Sequence, residues 1–226
     1  MISSKITGTG AFIPSVIKKN KDFLNREFLN EDGTTFSSDT DEIIEKFKAI
    51  TGIEERRYAK PAFNTSDLAF FAAENAIKDA NINKEDLSYI IVAHNFGDVS
   101  EGSNQADLLP SLATRVKQKL GIENPNCVAY DILFGCPGWV EATIQAHAFI
   151  KAGMASKCLV IGAETLSRVV DENDRDSMIF SDGAGACILE ATEEEGTGIL
   201  SHATQTFAQE EAFFLYFGKS YNSSKE

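Results

Sequence analysis

The sequence is poor in the features that would set it outside the ordinary globular proteins. It has only 5 prolines and no repeated glycine period, which excludes a collagen-like or low-complexity chain. Its longest purely apolar runs, such as Tyr89 to Ala93, fall far short of the ~20 residues a membrane span needs, so no membrane association is expected. The opening Met1-Ile-Ser-Ser-Lys-Ile6 lacks the basic region followed by an apolar stretch of a secretory signal, and a cytoplasmic protein is expected. Cysteine pairs at CxxC spacing are also missing. Cys127, Cys136, Cys158 and Cys187 stand 9, 22 and 29 positions apart, which suggests neither a zinc site nor a disulfide framework. Basic charge is scarce: 21 Lys and Arg face 34 Asp and Glu, and the net charge of -13 opposes binding to nucleic-acid phosphates or anionic lipid.

What is present reads as an α/β chain of 226 residues, long enough for one large domain or a domain with an appendage. Short β-branched runs alternate with longer stretches of helical period, the pattern of βαβ units around a mostly parallel sheet. Strands are expected from Lys5, over Ser88 to His94, Asn126 to Ile132, Lys157 to Ala163, Ala184 to Glu190 and Gly198 to Phe207. Helices are expected over Asp41 to Ile50, Thr65 to Asn81, Asp107 to Leu120 and Pro137 to Ala152. The dense aromatic run Ala212-Phe-Phe-Leu-Tyr-Phe217 would lie against something in a finished fold, and it raises the expectation of a truncated second half.

The chemistry concentrates at Tyr130-Asp-Ile-Leu-Phe-Gly-Cys136-Pro-Gly-Trp-Val-Glu-Ala142. A strand runs into Gly135-Cys136, and a helix starts at Pro137, whose missing N–H costs nothing at a first helical position. Cys136 therefore sits where the positive end of the helix dipole favours thiolate over thiol. Gly135 and Gly138 clear side chains from both flanks, leaving room for a substrate carbonyl to reach the sulfur and the helix N–H groups. The other reading of a lone cysteine, a small buried hydrophobe, is adopted for Cys127, Cys158 and Cys187, which lie in or beside strand runs.

A thiol nucleophile usually needs a histidine, and the sequence offers three. His147 lies 11 residues beyond Cys136, about 16 Å along the same helix, out of reach. His202 reads as a half-buried structural residue in mid-strand. His94, at a strand C-terminus, is the one geometrically tolerable partner, although a satisfied structural histidine is the commoner role for such a residue. Two glycine patterns carry no phosphate site. Gly8-Thr-Gly10 is followed by Pro14 and reads as a turn, and Ser181-Asp-Gly-Ala-Gly-Ala186 precedes a strand, with no helix dipole to offer.

Four segments in order carry a family resemblance. The Cys136 segment resembles the nucleophile segment of beta-ketoacyl-acyl carrier protein synthase III, of the thiolase superfamily. Thr51-Gly-Ile-Glu-Glu-Arg-Arg57 is similar to its TGIxxR segment, Leu159 to Arg168 to the strand and turn after the nucleophile helix, and Asp174-Arg175 with Phe180 to Ala186 to its FGDGAGA signature. The resemblance implies a thiolase-like fold, with residues 1–195 as the N-terminal half carrying the nucleophile and 196–226 as the start of a truncated C-terminal half. It implies acylation of Cys136 by a thioester, followed by decarboxylative Claisen condensation with malonyl-acyl carrier protein in fatty acid biosynthesis. No bound cofactor is implied, because coenzyme A or carrier-protein phosphopantetheine thioesters are substrates. The implied partners are an acyl carrier protein and a second copy of the chain in a homodimer.

The resemblance also assigns substrate contacts and exposes departures. Arg175 matches an arginine near the coenzyme A phosphates, and Leu109 matches the residue that closes the partner's acyl pocket across the dimer. Lys46 and Ile50 stand where better-known members carry a Trp and an Arg for coenzyme A, so a carrier-bound or unusual acyl donor becomes credible. No segment matches the family's catalytic His and Asn. Docking an acidic carrier needs a basic patch, for which Arg56, Arg57 and Lys60, or Arg115, Lys117 and Lys119, are the candidates. The alternatives are a related synthase of a secondary-metabolite polyketide or alkylresorcinol, and a catalytically incomplete chain that only binds or dimerises.

Overall fold

The computed structural model describes residues 2–103 and 105–225. The strands are β1 (Ser3–Phe12), β2 (Val16–Lys19), β3 (Glu55–Tyr58), β4 (Tyr89–His94), β5 (Asp98–Val99), β6 (Ala106–Asp107), β7 (Val128–Leu133), β8 (Lys157–Glu164) and β9 (Gly183–Thr192). The helices are α1 (Thr40–Thr51), α2 (Thr65–Ala80), α3 (Leu112–Lys119) and α4 (Gly138–Lys151). The central sheet runs β1-β9-β8-β4-β7. β4 is parallel to β7 and β8, while β9 is antiparallel to both its neighbours, so four of the five strands point the same way. The mostly parallel α/β reading holds. β9 reverses because its connection from β8 carries only short 3₁₀ turns, Leu166–Arg168 and Arg175–Ile179, and no crossover helix.

Two apolar layers cover the sheet. On one face α2 and α3 bury Ala69, Ala72, Ala73, Ala76, Leu112 and Val116 against Ile90, Val92, Leu159, Ile161 and Ile188. On the other, α4 lays Ala142, Ala146 and Ile150, one residue per helical turn, over Ile91, Ala93, Val160 and Leu189. Alanine dominates both helix faces, so the helix axes approach the sheet closely. A third cluster, Phe23, Phe28, Ile43, Ile44, Phe47 and Met178, seats α1. Among the described residues no helix is long and apolar enough to cross a membrane.

Three expectations fail for identifiable reasons. Gly8 and Gly10 form no turn: both lie inside β1, where a Cβ at Gly8 would stand 2.6 Å from the Ala80 Cβ and one at Gly10 would stand 2.9 Å from the Asn75 carbonyl carbon. They are glycines because α2 crosses there. The helix expected from Asp107 starts only at Leu112. Pro110 disfavours helical backbone at Leu109, Asp107 is held in β6 opposite Asp98, and the Ser111 hydroxyl caps the helix by accepting the Thr114 N–H at 3.1 Å. No strand forms over 198–207. The segment makes one backbone bond beside the β1 edge, from Ile199 N–H to Ser4 C=O at 2.9 Å, and then runs exposed with no ladder to join. The aromatic run that follows is also exposed, from Phe213 to Tyr216.

Replacing Gly10 with Ala is expected to destabilise the fold by about 1–3 kcal/mol, because the new methyl meets α2 backbone that cannot swing aside. A urea midpoint unchanged from the parent chain would show that α2 is free to retreat from β1.

Candidate functional site

Cys136 lies exposed three residues beyond β7 and two before α4. The chain turns sharply there: the Gly138 N–H donates to Gly135 C=O at 2.8 Å, and the Glu141 N–H donates to Pro137 C=O at 3.1 Å as the helix begins. Pro137 is the N-cap, so the helix starts one residue later than the sequence suggests, and the sulfur stays on its N-terminal side. The glycines beside it differ in role. A Cβ at Gly138 would approach the Ala93 Cβ to 3.0 Å and the Phe134 Cβ to 3.4 Å, whereas one at Gly135 would meet nothing within 4 Å. Gly138 thus seats α4 on β4, and Gly135 simply leaves the approach open. Leu133, Phe134, Trp139 and Val140, close to Cys136 in sequence, are apolar side chains left partly exposed.

The remaining cysteines behave as expected of core residues. All three are buried, and burial pushes the Cys158 and Cys187 thiols up to about 12 and raises that of Cys127.

His94 is not a partner of Cys136. It is buried, its Nδ1 accepts the Gly97 N–H at 3.0 Å, and its Nε2 therefore carries the proton and donates to Asp131 Oδ2 at 3.0 Å. One ring nitrogen is spent on holding the loop after β4 and the other on Asp131 of β7. His147 faces the core side of α4, with Nδ1 2.8 Å from the Ser4 hydroxyl. His202 is exposed rather than half-buried, since its strand does not exist, and its ring meets that of His147 edge-on at 5.9 Å.

Four side chains unremarked at the sequence level hold the frame around Cys136. Asp131 of β7 accepts the Leu112 and Ala113 N–H groups at 2.7 and 2.8 Å, tying the start of α3 to the strand that leads to the cysteine. Asp98 accepts the Ser66 N–H and hydroxyl, both at 2.7 Å, and the Arg115 guanidinium at 2.8 Å. Asp182 accepts the Ser167 N–H and hydroxyl and the Ala59 N–H at 2.7–2.9 Å, so the glycine-rich motif at 181–186 serves to cross-link loops. Arg168 donates to Asn64 Oδ1 at 2.7 Å and to the carbonyls of Lys60, Phe63 and Val99. Their signal in sequence was membership of the matched segments, as for Arg168 and Asp182, or none at all.

The other predicted contacts lie apart from the thiol. Arg175 is exposed, stacks over Phe36 at 5.1 Å, and shares an open cleft with Leu29, Glu31, Asp32, Asp174, Asp176 and Tyr221. Leu109 projects from the loop before α3, 85% exposed, beside Ser100 and Asp107. Neither cleft is lined by Cys136, Gly135 or Gly138. The basic clusters are largely consumed internally. Arg56 is buried and donates to Met178 C=O and Asn20 Oδ1, Arg115 pairs with Asp98 and Asp107, Lys117 donates to the Asn124 and Cys127 carbonyls, and Lys119 pairs with Asp67. Among the described residues, no group of three His, Cys, Asp or Glu side chains is arranged to hold a metal ion.

A largely parallel sheet covered on both faces, with an exposed cysteine at the foot of the helix after β7, defines a thiolase-like α/β class. Comparison with known proteins narrows this. The family described as 3-oxoacyl-[acyl-carrier-protein (ACP)] synthase III matches residues 130–207. Beta-ketoacyl-[acyl-carrier-protein] synthase III of Neisseria gonorrhoeae is 41% identical over 194 residues, 85% of this chain and 54% of that protein. Synthase III 1 of Vibrio vulnificus is 42% identical over the same shares. The solved synthase III of Thermus thermophilus aligns with a TM-score of 0.67 at 36% identity, covering 86% of this chain and 53% of the other. The chain is thus similar to beta-ketoacyl-[acyl-carrier-protein] synthase III, and it spans about half the length of the curated relatives it matches.

Two outcomes are expected from these surroundings. Brief treatment with iodoacetamide near neutral pH should label Cys136 alone, since it combines exposure with a helix start while the other thiols are buried and held protonated. Equal labelling of Cys127, Cys158 or Cys187 in folded protein would sink the assignment. The second concerns His147, whose pKa is lowered from 6.5 by burial and then by Lys151 and His202. Its unfolded form binds the proton more tightly, so the stability carried by the neutral ring is present above about pH 6.5 and is lost as pH falls through the lower folded value. Urea midpoints at pH 7.5 and 5.5 should fall less steeply in His147→Gln than in the parent.

Proposed function

We propose that this chain is the acyl-accepting half of a 3-oxoacyl-acyl carrier protein synthase III-type acyltransferase, with Cys136 as the nucleophile. The observation that carries the reading is the exposed thiol on the N-terminal side of α4, in a turn stripped of side chains at Gly135 and Gly138. The thiolate attacks the thioester carbonyl, the oxyanion forms against the positive end of the helix, and the carrier leaves as its thiolate, which water then protonates, so one thioester replaces another in a nearly balanced exchange. Arg175, with its guanidinium at a cleft mouth, is proposed to meet the donor's phosphates, and Leu109 to close a partner subunit's acyl pocket in a homodimer, for which its 85% exposure leaves it free. The carrier is an acyl carrier protein or coenzyme A, and no bound cofactor is required. Four unpaired thiols accord with a cytoplasmic setting. Residues 1–195 form the nucleophile-bearing unit of this scheme, and 196–226 begin the next.

Intact-mass analysis after incubation with short acyl thioesters is expected to show one added acyl group, lost in Cys136→Ala. An equal acyl load on that variant would put the acyl group on another residue and overturn the assignment, and no load on the parent would leave a chain that only binds or dimerises. Condensation is a separate matter. Among the described residues His94 and His147 are committed elsewhere and the His202 ring meets His147, far along α4 from Cys136, so none of the three histidines is placed as a donor for the enolate formed on decarboxylation. Loss of one such donor typically costs about 100-fold or more, and carbon dioxide release from malonyl thioester is expected to be slower by at least that factor than for the Neisseria gonorrhoeae relative assayed alongside.

A further inference from the structure

The aromatic run near the C-terminus is not uniformly exposed. Phe213, Phe214, Leu215 and Tyr216 range from 62 to 81% exposed, but Phe217 falls to 40% because its ring inserts between two others. Its centroid lies 5.6 Å from that of Phe96 and 5.3 Å from that of Phe180, both at tilted angles. A second anchor follows within four residues. The Ser220 hydroxyl donates to Asp171 Oδ1 at 2.8 Å, and the Tyr221 N–H donates to Asp171 Oδ2 at 2.7 Å.

These partners all belong to one edge of the sheet. Phe96 stands two residues beyond the end of β4, where Gly97, at φ +72°, turns the chain and fixes its exit. Asp171 lies in the connection after β8. Phe180 precedes β9, whose first residue Gly183 pairs with Glu164, the last of β8. Residues 217–221 therefore strap the ends of β4 and β8 and the start of β9. The same edge carries Cys136. β7 pairs with β4 up to Leu133 opposite His94, and Gly138 is packed on Ala93, three residues before Phe96. Cys136 and Phe96 thus follow the C-terminal ends of two neighbouring parallel strands, and Phe96 carries the Phe217 ring against its own.

We propose that Phe217, clamped between Phe96 and Phe180, is a wall of the approach to Cys136 and sets the size of the acyl group that reaches the sulfur. The proposal rests on Cys136 being an acyl acceptor. The segment has the properties such a wall needs. Phe217 offers an apolar ring, and the segment is pinned at both ends of 217–221, so it resists displacement by a weakly bound chain. Since it arrives from far along the sequence, its position can vary without disturbing the nucleophile turn.

The test measures access and chemistry separately. Rates of Cys136 alkylation are read by mass spectrometry with iodoacetamide and with a long-chain N-alkyl iodoacetamide, on the parent, Phe217→Ala and Phe217→Trp. The long-to-short rate ratio is expected to rise about tenfold in Phe217→Ala and to fall in Phe217→Trp, the scale on which a pocket wall discriminates by size. A ratio unmoved in both variants overturns the proposal. Transfer from acetyl and octanoyl thioesters of N-acetylcysteamine is followed in parallel. A shifted alkylation ratio without any acyl transfer keeps the wall and rejects the acyl-acceptor reading, while acyl transfer with an unmoved ratio does the reverse.

Discussion

The contact between Gly138 and Ala93 is the constraint on which the candidate site depends. With no side chain at Gly138, the first turn of α4 settles directly on the end of β4, and even one added carbon would crowd Ala93 at 3.0 Å. That seat decides where the helix begins, and the helix start decides where Cys136 can be. Tight packing transmits such a constraint because interiors have little slack to absorb a methyl group. The alanines at 142 and 146 continue the same close approach along the helix, so the cysteine turn is held by the packing of α4 as well as by its local bonds.

Buried and half-buried carboxylates complete the frame, and each satisfies its charge with several donors. Asp131 caps α3 and holds His94; Asp98 joins the start of α2 to α3 through Arg115; Asp182 ties the loop after β8 to the segment after β3. A buried carboxylate with a missing donor is costly, whereas one with two or three charge-assisted or backbone bonds fixes geometry. This explains why the loops at the C-terminal ends of the parallel strands are ordered enough to present a thiol. The same accounting removes His94 from the chemistry: a ring with both nitrogens engaged cannot also serve the sulfur.

The sequence made legible what local chemistry decides. The glycine pair around Cys136, the proline before α4 and the apolar spacing of α2 and α4 each follow from the conformation of a few neighbouring residues, and each held within a residue or two. What it hid were contacts between distant segments. Gly8 and Gly10 read as a turn because glycine usually marks one, and only the crossing of α2 shows why a strand needs them. The run 198–207 has strand propensity, but a strand exists only where an edge receives it, and one bond to Ser4 is no ladder. Arg56 looked like surface charge beside Arg57, yet its guanidinium packs over Phe23 at 4.9 Å and is buried.

Charge follows from that burial. The chain is acidic overall, and the arginines and lysines that cluster in sequence spend their donors on carbonyls and carboxylates of their own fold. A cation already paired inside the molecule attracts a distant partner weakly, because its field is cancelled within a few ångströms. Long-range steering of an acidic carrier is therefore not what these clusters provide. Selection at the proposed site would rest instead on shape and apolar contact, for which Phe134, Trp139 and Val140, near Cys136 in sequence, are partly exposed. Apolar recognition of this kind discriminates by fit rather than by charge, which places the burden of specificity on the walls of the approach and not on the helix that holds the thiol.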